Sequence, residues 1–134
     1  MIQRFQSLYL FLYIINKCYL LYKYSIDKNL FHFFIDKPDL IFILLILLLI
    51  ILSIITLFSF KNRKNQIKLL YYLIIIQVFI LASMLILSYI VENPLNSFKN
   101  NHTYHHLLGL LLLLLSLRGI KKDQRLIDSI NRIR

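Results

Sequence analysis

His102, His105 and His106 lie together in this sequence, separated by three and four residues. On a helix that spacing sets His102 beside both of the others, a geometry that can hold zinc or copper. A competent metal site needs three or four placed ligands, and no carboxylate or thiol lies close by in sequence. The three rings are therefore expected to cap a helix where it meets lipid headgroups, with neither metal nor cofactor. Other reactive patterns are missing. There is no serine–histidine–carboxylate grouping, no paired carboxylate motif, no CxxC and no Gly-rich phosphate loop. Without a placed base or nucleophile the chain does not read as an enzyme.

Asn16, Lys17 and Gln77 are polar groups set inside apolar runs. Such residues warrant a functional hypothesis by default. A transport path usually shows several of them with acidic partners, and no Asp or Glu interrupts these runs. Lys17 either snorkels outward or faces into the bundle, and Lys17 and Gln77 are expected toward opposite faces of a membrane. The main expectation is thus hydrogen bonding between helices. A small transporter or channel subunit is the alternative.

The end of the chain offers a third kind of chemistry. Leu126, Ile127, Ile130 and Ile133 recur at helical spacing, preceded by Ile120. Lys121, Lys122, Arg125, Arg132 and Arg134 occupy much of the remaining surface. This predicts a basic amphipathic helix over 121–134, fit to lie on an anionic inner leaflet. Each basic residue there contributes about 1 kcal/mol. Asp128 stands at pairing distance in sequence from Arg125 and Arg132. The candidate interaction surface joins Gln3, Arg4 and Gln6 to Arg118, Lys121, Lys122, Asp123 and Arg125. Its expected partners are membrane lipids, a membrane or cytoplasmic protein, or a second copy of the chain. Nucleic acid is not expected, because the basic face is small and tethered to lipid.

These residues must be positioned by greasy elements. Of 134 residues 59% are apolar, and the excess is gathered in long apolar runs that predict membrane spans. The runs cover about 7–24, 40–60, 69–91 and 104–120. The strongest is Leu40 to Phe60, which carries no charge. Asp36, Pro38 and Asp39 precede it, which suits a helix start. Glu92, Asn93 and Pro94 close the third run. No small-residue cleavage site follows the first run, so it is expected to remain as a helix. The predicted fold is all-α: an integral membrane protein of four antiparallel transmembrane helices, followed by the C-terminal amphipathic helix.

The net charge of +10 reads as orientation. Arg4, the group Lys61, Arg63, Lys64 and Lys68, and the basic tail all fall on one side of a four-span chain. The positive-inside rule places that side, with both termini, in the cytoplasm. The single cysteine, Cys18, allows no internal disulfide. Abundant Ile, Asn and Lys with one alanine, Ala82, read as A+T-rich codon usage, which lowers the weight of any lone Asn or Lys.

The two ends are the most distinctive parts. The chain opens MIQRFQSLYL and closes LRGIKKDQRLIDSINRIR. It resembles a family of short four-span membrane proteins of Gram-negative bacteria, known only as a domain of unknown function. The resemblance rests on Met1, Ile2, Gln3, Arg4, Gln6, Ser7, Tyr9 and Leu10 at the start. At the close it rests on Arg118, Ile120, Lys122, Asp123, Leu126, Ile127, Ser129, Arg132 and Arg134. Gln124 and Asn131 depart from acidic residues usual in that family. The resemblance implies four membrane helices and an inner-membrane location, and it implies no activity.

Overall fold

The computed structural model describes residues 3–27, 37–91 and 101–133, with side chains over 7–23, 43–60, 62–86 and 103–129, and that of Ile41. These residues form four helices, and no strand occurs among them. Helix α1 is Gln3–Asp27 and α2 is Lys37–Phe58. A 3-10 turn, Ser59–Lys61, leads into α3, Arg63–Val91. Helix α4 is Asn101–Ile133. Two helical stretches, Arg63–Ile86 and Thr103–Ser129, are long and apolar enough to cross a membrane. The described apolar part of α2, Ile43–Phe58, is shorter.

Each helix packs on its neighbour in sequence, and α4 returns to pack on α1. Among the described residues the diagonal pairs, α1 with α3 and α2 with α4, make no such backbone approach. The result is a square bundle. Residues 17 and 13 of α1 meet 106 and 109 of α4, while Arg63 and Gln77 of α3 meet Asp123 and His106. Both pairings run in opposite directions, so the bundle is up-down-up-down.

The inward face repeats at intervals of three and four. It comprises Leu10, Tyr13, Lys17 and Leu20 on α1, and Ile46, Leu49, Ser53 and Thr56 on α2. On α3 it comprises Gln66, Leu70, Leu73, Gln77 and Ile80. This near-3.5 period is that of helices packed side by side at shallow angles. The outward face is apolar as well. Phe11, Tyr22, Ile51, Phe58, Ile75, Phe79 and Leu111 are all more than half exposed. Hydroxyls on α2 and α3 bond their own helices: Ser53 to the Ile50 carbonyl, Thr56 to Leu52 and Ser83 to Ile80.

The α2–α3 corner is closed by local bonds. The Asn62 amide donates to the Ser59 carbonyl at 3.1 Å. The Asn62 carbonyl accepts from the Gln66 amide at 3.0 Å. The buried Gln66 side chain donates to the Thr56 carbonyl at 3.1 Å, one of the carbonyls that the end of α2 leaves without a helical partner.

The C-terminal segment corrects an expectation. The run at 104–120 and the tail at 121–134 do not form separate helices, because α4 continues unbroken through Ile133. Its 33 residues span about 50 Å. No proline interrupts it, and Gly119 keeps an ordinary helical backbone. The first turns of the tail also have bundle partners. Ile120 and Asp123 are buried, and Asp123 meets Arg63 on α3 at 3.4 Å. Lys121 lies over the Tyr71 ring, 5.0 Å from its centroid.

Candidate functional site

Midway along α3 the bundle interior turns polar. Gln77 stands 14 residues from either end of its helix, about 21 Å each way. Lys17 from α1 and His106 from α4 come to it, and none of the three has any solvent exposure. The Lys17 amine is 3.2 Å from His106 Nδ1. The Gln77 side-chain amide lies 3.0 Å from the same nitrogen and donates to the His106 carbonyl at 2.9 Å. Tyr13 completes the group, its hydroxyl donating across the bundle diagonal to Gln77 Oε1 at 3.1 Å.

The network assigns its own protons. A backbone carbonyl only accepts, so the Gln77 nitrogen faces His106 and its oxygen faces Tyr13. Lys17 and Gln77 then both direct N–H groups at His106 Nδ1. That nitrogen must offer its lone pair, which puts the ring proton of neutral His106 on Nε2. His105 takes the opposite tautomer. Its Nδ1 donates to Asn16 Oδ1 at 2.9 Å, while Asn16 Nδ2 donates to the His105 carbonyl at 2.8 Å. Tyr19 stacks at a tilt on the His105 ring, with centroids 5.1 Å apart. Asn16 and Lys17 thus hold consecutive residues of α4 from consecutive positions of α1.

Gly109 gives the lysine its space. A Cβ there would stand 3.2 Å from the Tyr13 ring and 3.4 Å from both Cε and Nζ of Lys17. The amine also lies 5.4 Å from the Tyr13 ring centroid, within range of a cation–π attraction. No carboxylate contacts Lys17 among the described residues.

This geometry revises two expectations and decides between the two positions open to Lys17. Lys17 does not snorkel outward; packing between Tyr13 and Gly109 turns it into the bundle. Lys17 and Gln77 do not lie toward opposite faces but converge on one imidazole. His106 is not an interfacial ring, because α4 begins at Asn101 and carries residue 106 inside the packed region. His105 and His106 bond different residues of α1 and share no ligand point. His102 belongs to α4, but its side chain is outside the described residues. No group of three His, Cys, Asp or Glu side chains suited to a metal occurs among the described residues.

The expected interaction surface lies at the other end of the bundle. The antiparallel register places the start of α1 at the same end as 118–125 of α4. Side chains of Gln3, Arg4 and Gln6 are outside the described residues. Arg118, Lys122 and Arg125 are exposed, and Lys121 is half-buried. Asp123 is buried against Arg63, a partner that sequence spacing within the tail could not reveal. Asp128 accepts from Gln124 at 3.1 Å.

Tyr13 and Gly109 did not stand out in the sequence. The available signal was heptad spacing. Tyr13 and Lys17 are four apart, Gly109 follows His106 by three, and Gln66 precedes Gln77 by eleven, which keeps each set on one face. No curated protein and no solved structure matches the chain. A family model described as a domain of unknown function, DUF4293, matches residues 2–133. The chain therefore belongs to the DUF4293 family.

Proposed function

We propose that this is a multi-pass protein of a bacterial inner membrane, with four antiparallel transmembrane helices and both termini in the cytoplasm. It acts as a non-enzymatic assembly or interaction protein through its basic end. The observation that carries the membrane placement is the inverted distribution of polarity. Phenylalanine, isoleucine and leucine side chains cover the outside of the bundle, while Lys17, Gln77, His106, Ser53, Thr56 and Ser116 are buried within it. A soluble monomer rarely exposes apolar patches beyond a few hundred Å². In hydrocarbon the same surface is well solvated, and interior polar groups hold helices together.

Orientation follows from lysine and arginine, which concentrate at the end that carries Arg63, Lys64, Lys68, Arg118, Lys122 and Arg125. There the exposed cations meet the anionic leaflet. Exposed Leu126 and Ile127 offer apolar contact to lipid or to a protein partner. Photo-crosslinking from position 126 in membranes tests the interaction role. Reproducible capture of one protein supports it, and capture of lipid alone sinks it. Labelling of Asn62→Cys from outside intact cells would contradict the orientation.

A second reading is favoured by one specific observation. Lys17 and Gln77 meet at His106 in mid-bundle, as groups that handle an ion would. A small transporter or channel subunit fits that convergence.

A further inference from the structure

We propose that the outer groove between α3 and α4, at the basic end of the bundle, holds one anionic phospholipid with its phosphate at Lys121. The inference rests on the membrane placement proposed above and deepens it, giving the contact with the anionic leaflet a place and a ligand.

One contact locates the groove. Lys121 of α4 lies over the ring of Tyr71 of α3, 5.0 Å from its centroid. The helix faces that carry these two residues therefore both border the groove. Residues three, four or seven apart on a helix share a face. Lys68 and Lys64 precede Tyr71 by three and seven. Arg118 precedes Lys121 by three, and Arg125 follows it by four. All four are exposed. The register brings the two sets level. Arg63 meets Asp123 at one end and Gln77 meets His106 in mid-bundle, so Lys68 stands within a turn of Arg118 in height, and Lys64 within a turn of Lys121. Lys64, Lys68, Arg118, Lys121 and Arg125 thus border one groove. Among the described residues no carboxylate pairs with any of them. Asp128, seven past Lys121, shares that face farther out and accepts from Gln124.

Toward the middle of the bundle the same two faces turn apolar. Ile75 and Val78 follow Tyr71 by four and seven, while Leu114 precedes Lys121 by seven and Leu111 precedes Arg118 by seven. These four are exposed. A groove that is apolar over one stretch and cationic over the next fits an amphiphile with an anionic head. An acyl chain lies on Ile75, Val78, Leu111 and Leu114, and the phosphate comes down among Lys68, Arg118 and Lys121. Free phosphate would leave the apolar stretch uncovered. Charge selects the headgroup, because a zwitterionic lipid brings its own cation into a site that already gathers lysine and arginine. Lys121 is the fixed point: the Tyr71 ring restrains its amine, so less order has to be imposed when the phosphate arrives. Arg118 adds a planar fork suited to phosphate oxygens.

The chain has no tryptophan, so a single introduced one reports its local lipid. Ile75→Trp sets the reporter in the groove, and Phe11→Trp sets it on the exposed face of α1. Each full-length variant is reconstituted in phosphatidylcholine. Part of that lipid is then replaced by phosphatidylglycerol or phosphatidylcholine with brominated chains, which quench tryptophan on contact. At Ile75→Trp the brominated phosphatidylglycerol is expected to bind several-fold better than the brominated phosphatidylcholine. At Phe11→Trp the two should quench alike. Adding Lys68→Gln, Arg118→Gln and Lys121→Gln to Ile75→Trp should abolish the preference. Equal quenching by the two lipids at Ile75→Trp, the same preference at both reporters, or a preference that survives the three added substitutions overturns the proposal. The comparison of the two reporters removes no cation, so it decides alone if the multiple variant fails to fold. Failure of the wider reading looks different. Equal quenching by the two lipids removes only the lipid site, whereas no quenching of either reporter by either lipid removes the membrane placement as well.

Discussion

Replacing Gln77 with leucine is the most direct probe of the interior network. The side chains are similar in size, so packing changes little. Three contacts disappear: the bond from Tyr13, the bond to the His106 carbonyl and the approach to His106 Nδ1. Hydrogen bonds between membrane helices average about 0.6 kcal/mol and reach about 1.7. Three of them give a loss of about 2–5 kcal/mol. Helix propensity shifts the balance by only tenths, since Leu and Gln rank closely. The measurement is reversible unfolding in mixed dodecyl maltoside and dodecyl sulfate micelles. Tyr13→Phe alone should lose about 0.6–1.7 kcal/mol. Added to Gln77→Leu it should lose almost nothing more, because the hydroxyl has already lost its acceptor. If Gln77→Leu stays within about 0.5 kcal/mol of wild type, the three contacts do not hold α1, α3 and α4 together and the reasoning fails.

Other substitutions probe different parts of the bundle. Gly109→Val presses a branched carbon on the Tyr13 ring and the lysine stem, and overpacking of this kind costs about 1–3 kcal/mol against a propensity gain of under about 1; a variant more stable than wild type in the same micelles would refute the close approach. Asp123→Asn leaves Arg63 without its partner at the α3–α4 end, and because Arg63 is partly exposed the loss should be about 1–2 kcal/mol. Arg63→Gln should cost more, because it strands the buried Asp123 carboxylate, and a loss no larger than that of Asp123→Asn would show that the pair does not act as a pair. Cys18 faces outward from α1. Under the proposed placement it resists a membrane-impermeant maleimide in vesicles and reacts once detergent is added, whereas rapid labelling in sealed vesicles would show α1 exposed to water.

The helices themselves were legible because run length and charge mark them. Their order and the turn near Phe60 follow from Leu40–Phe60 and the basic group behind it. The boundaries were less so. Helix α3 starts at Arg63 because charged residues prolong a helix as readily as apolar ones, and α4 runs into the tail for the same reason. The inward faces were hidden by composition. Where both faces are apolar, hydrophobic periodicity carries little information, and the polar residues become the marks of the interior. Lys17 and Gln77 were visible as such marks, but not their meeting. That depends on the relative height of α1, α3 and α4, which no single helix encodes. His106 was misplaced for that reason, and Arg63 with Asp123 could be paired only after α3 and α4 were packed.

The height of α4 is a problem that its own sequence poses and solves. Leu110 to Leu115 are six identical residues, and a run of leucine packs almost equally well after a slip of one turn. Apolar contact gives little preference among registers, and lipid adds no hydrophobic drive of its own. The residues flanking the run decide. A slip of one turn, about 5.4 Å, would carry His106 away from Lys17 and Gln77 and carry Asp123 away from Arg63. It would also set a leucine or a histidine, according to its direction, in place of Gly109 against the Tyr13 ring. Polar contacts before and after the leucines, with a glycine packed against Tyr13 and Lys17, therefore fix what the leucines leave open. The same contacts that make the interior chemically interesting are the ones that give the bundle a single register.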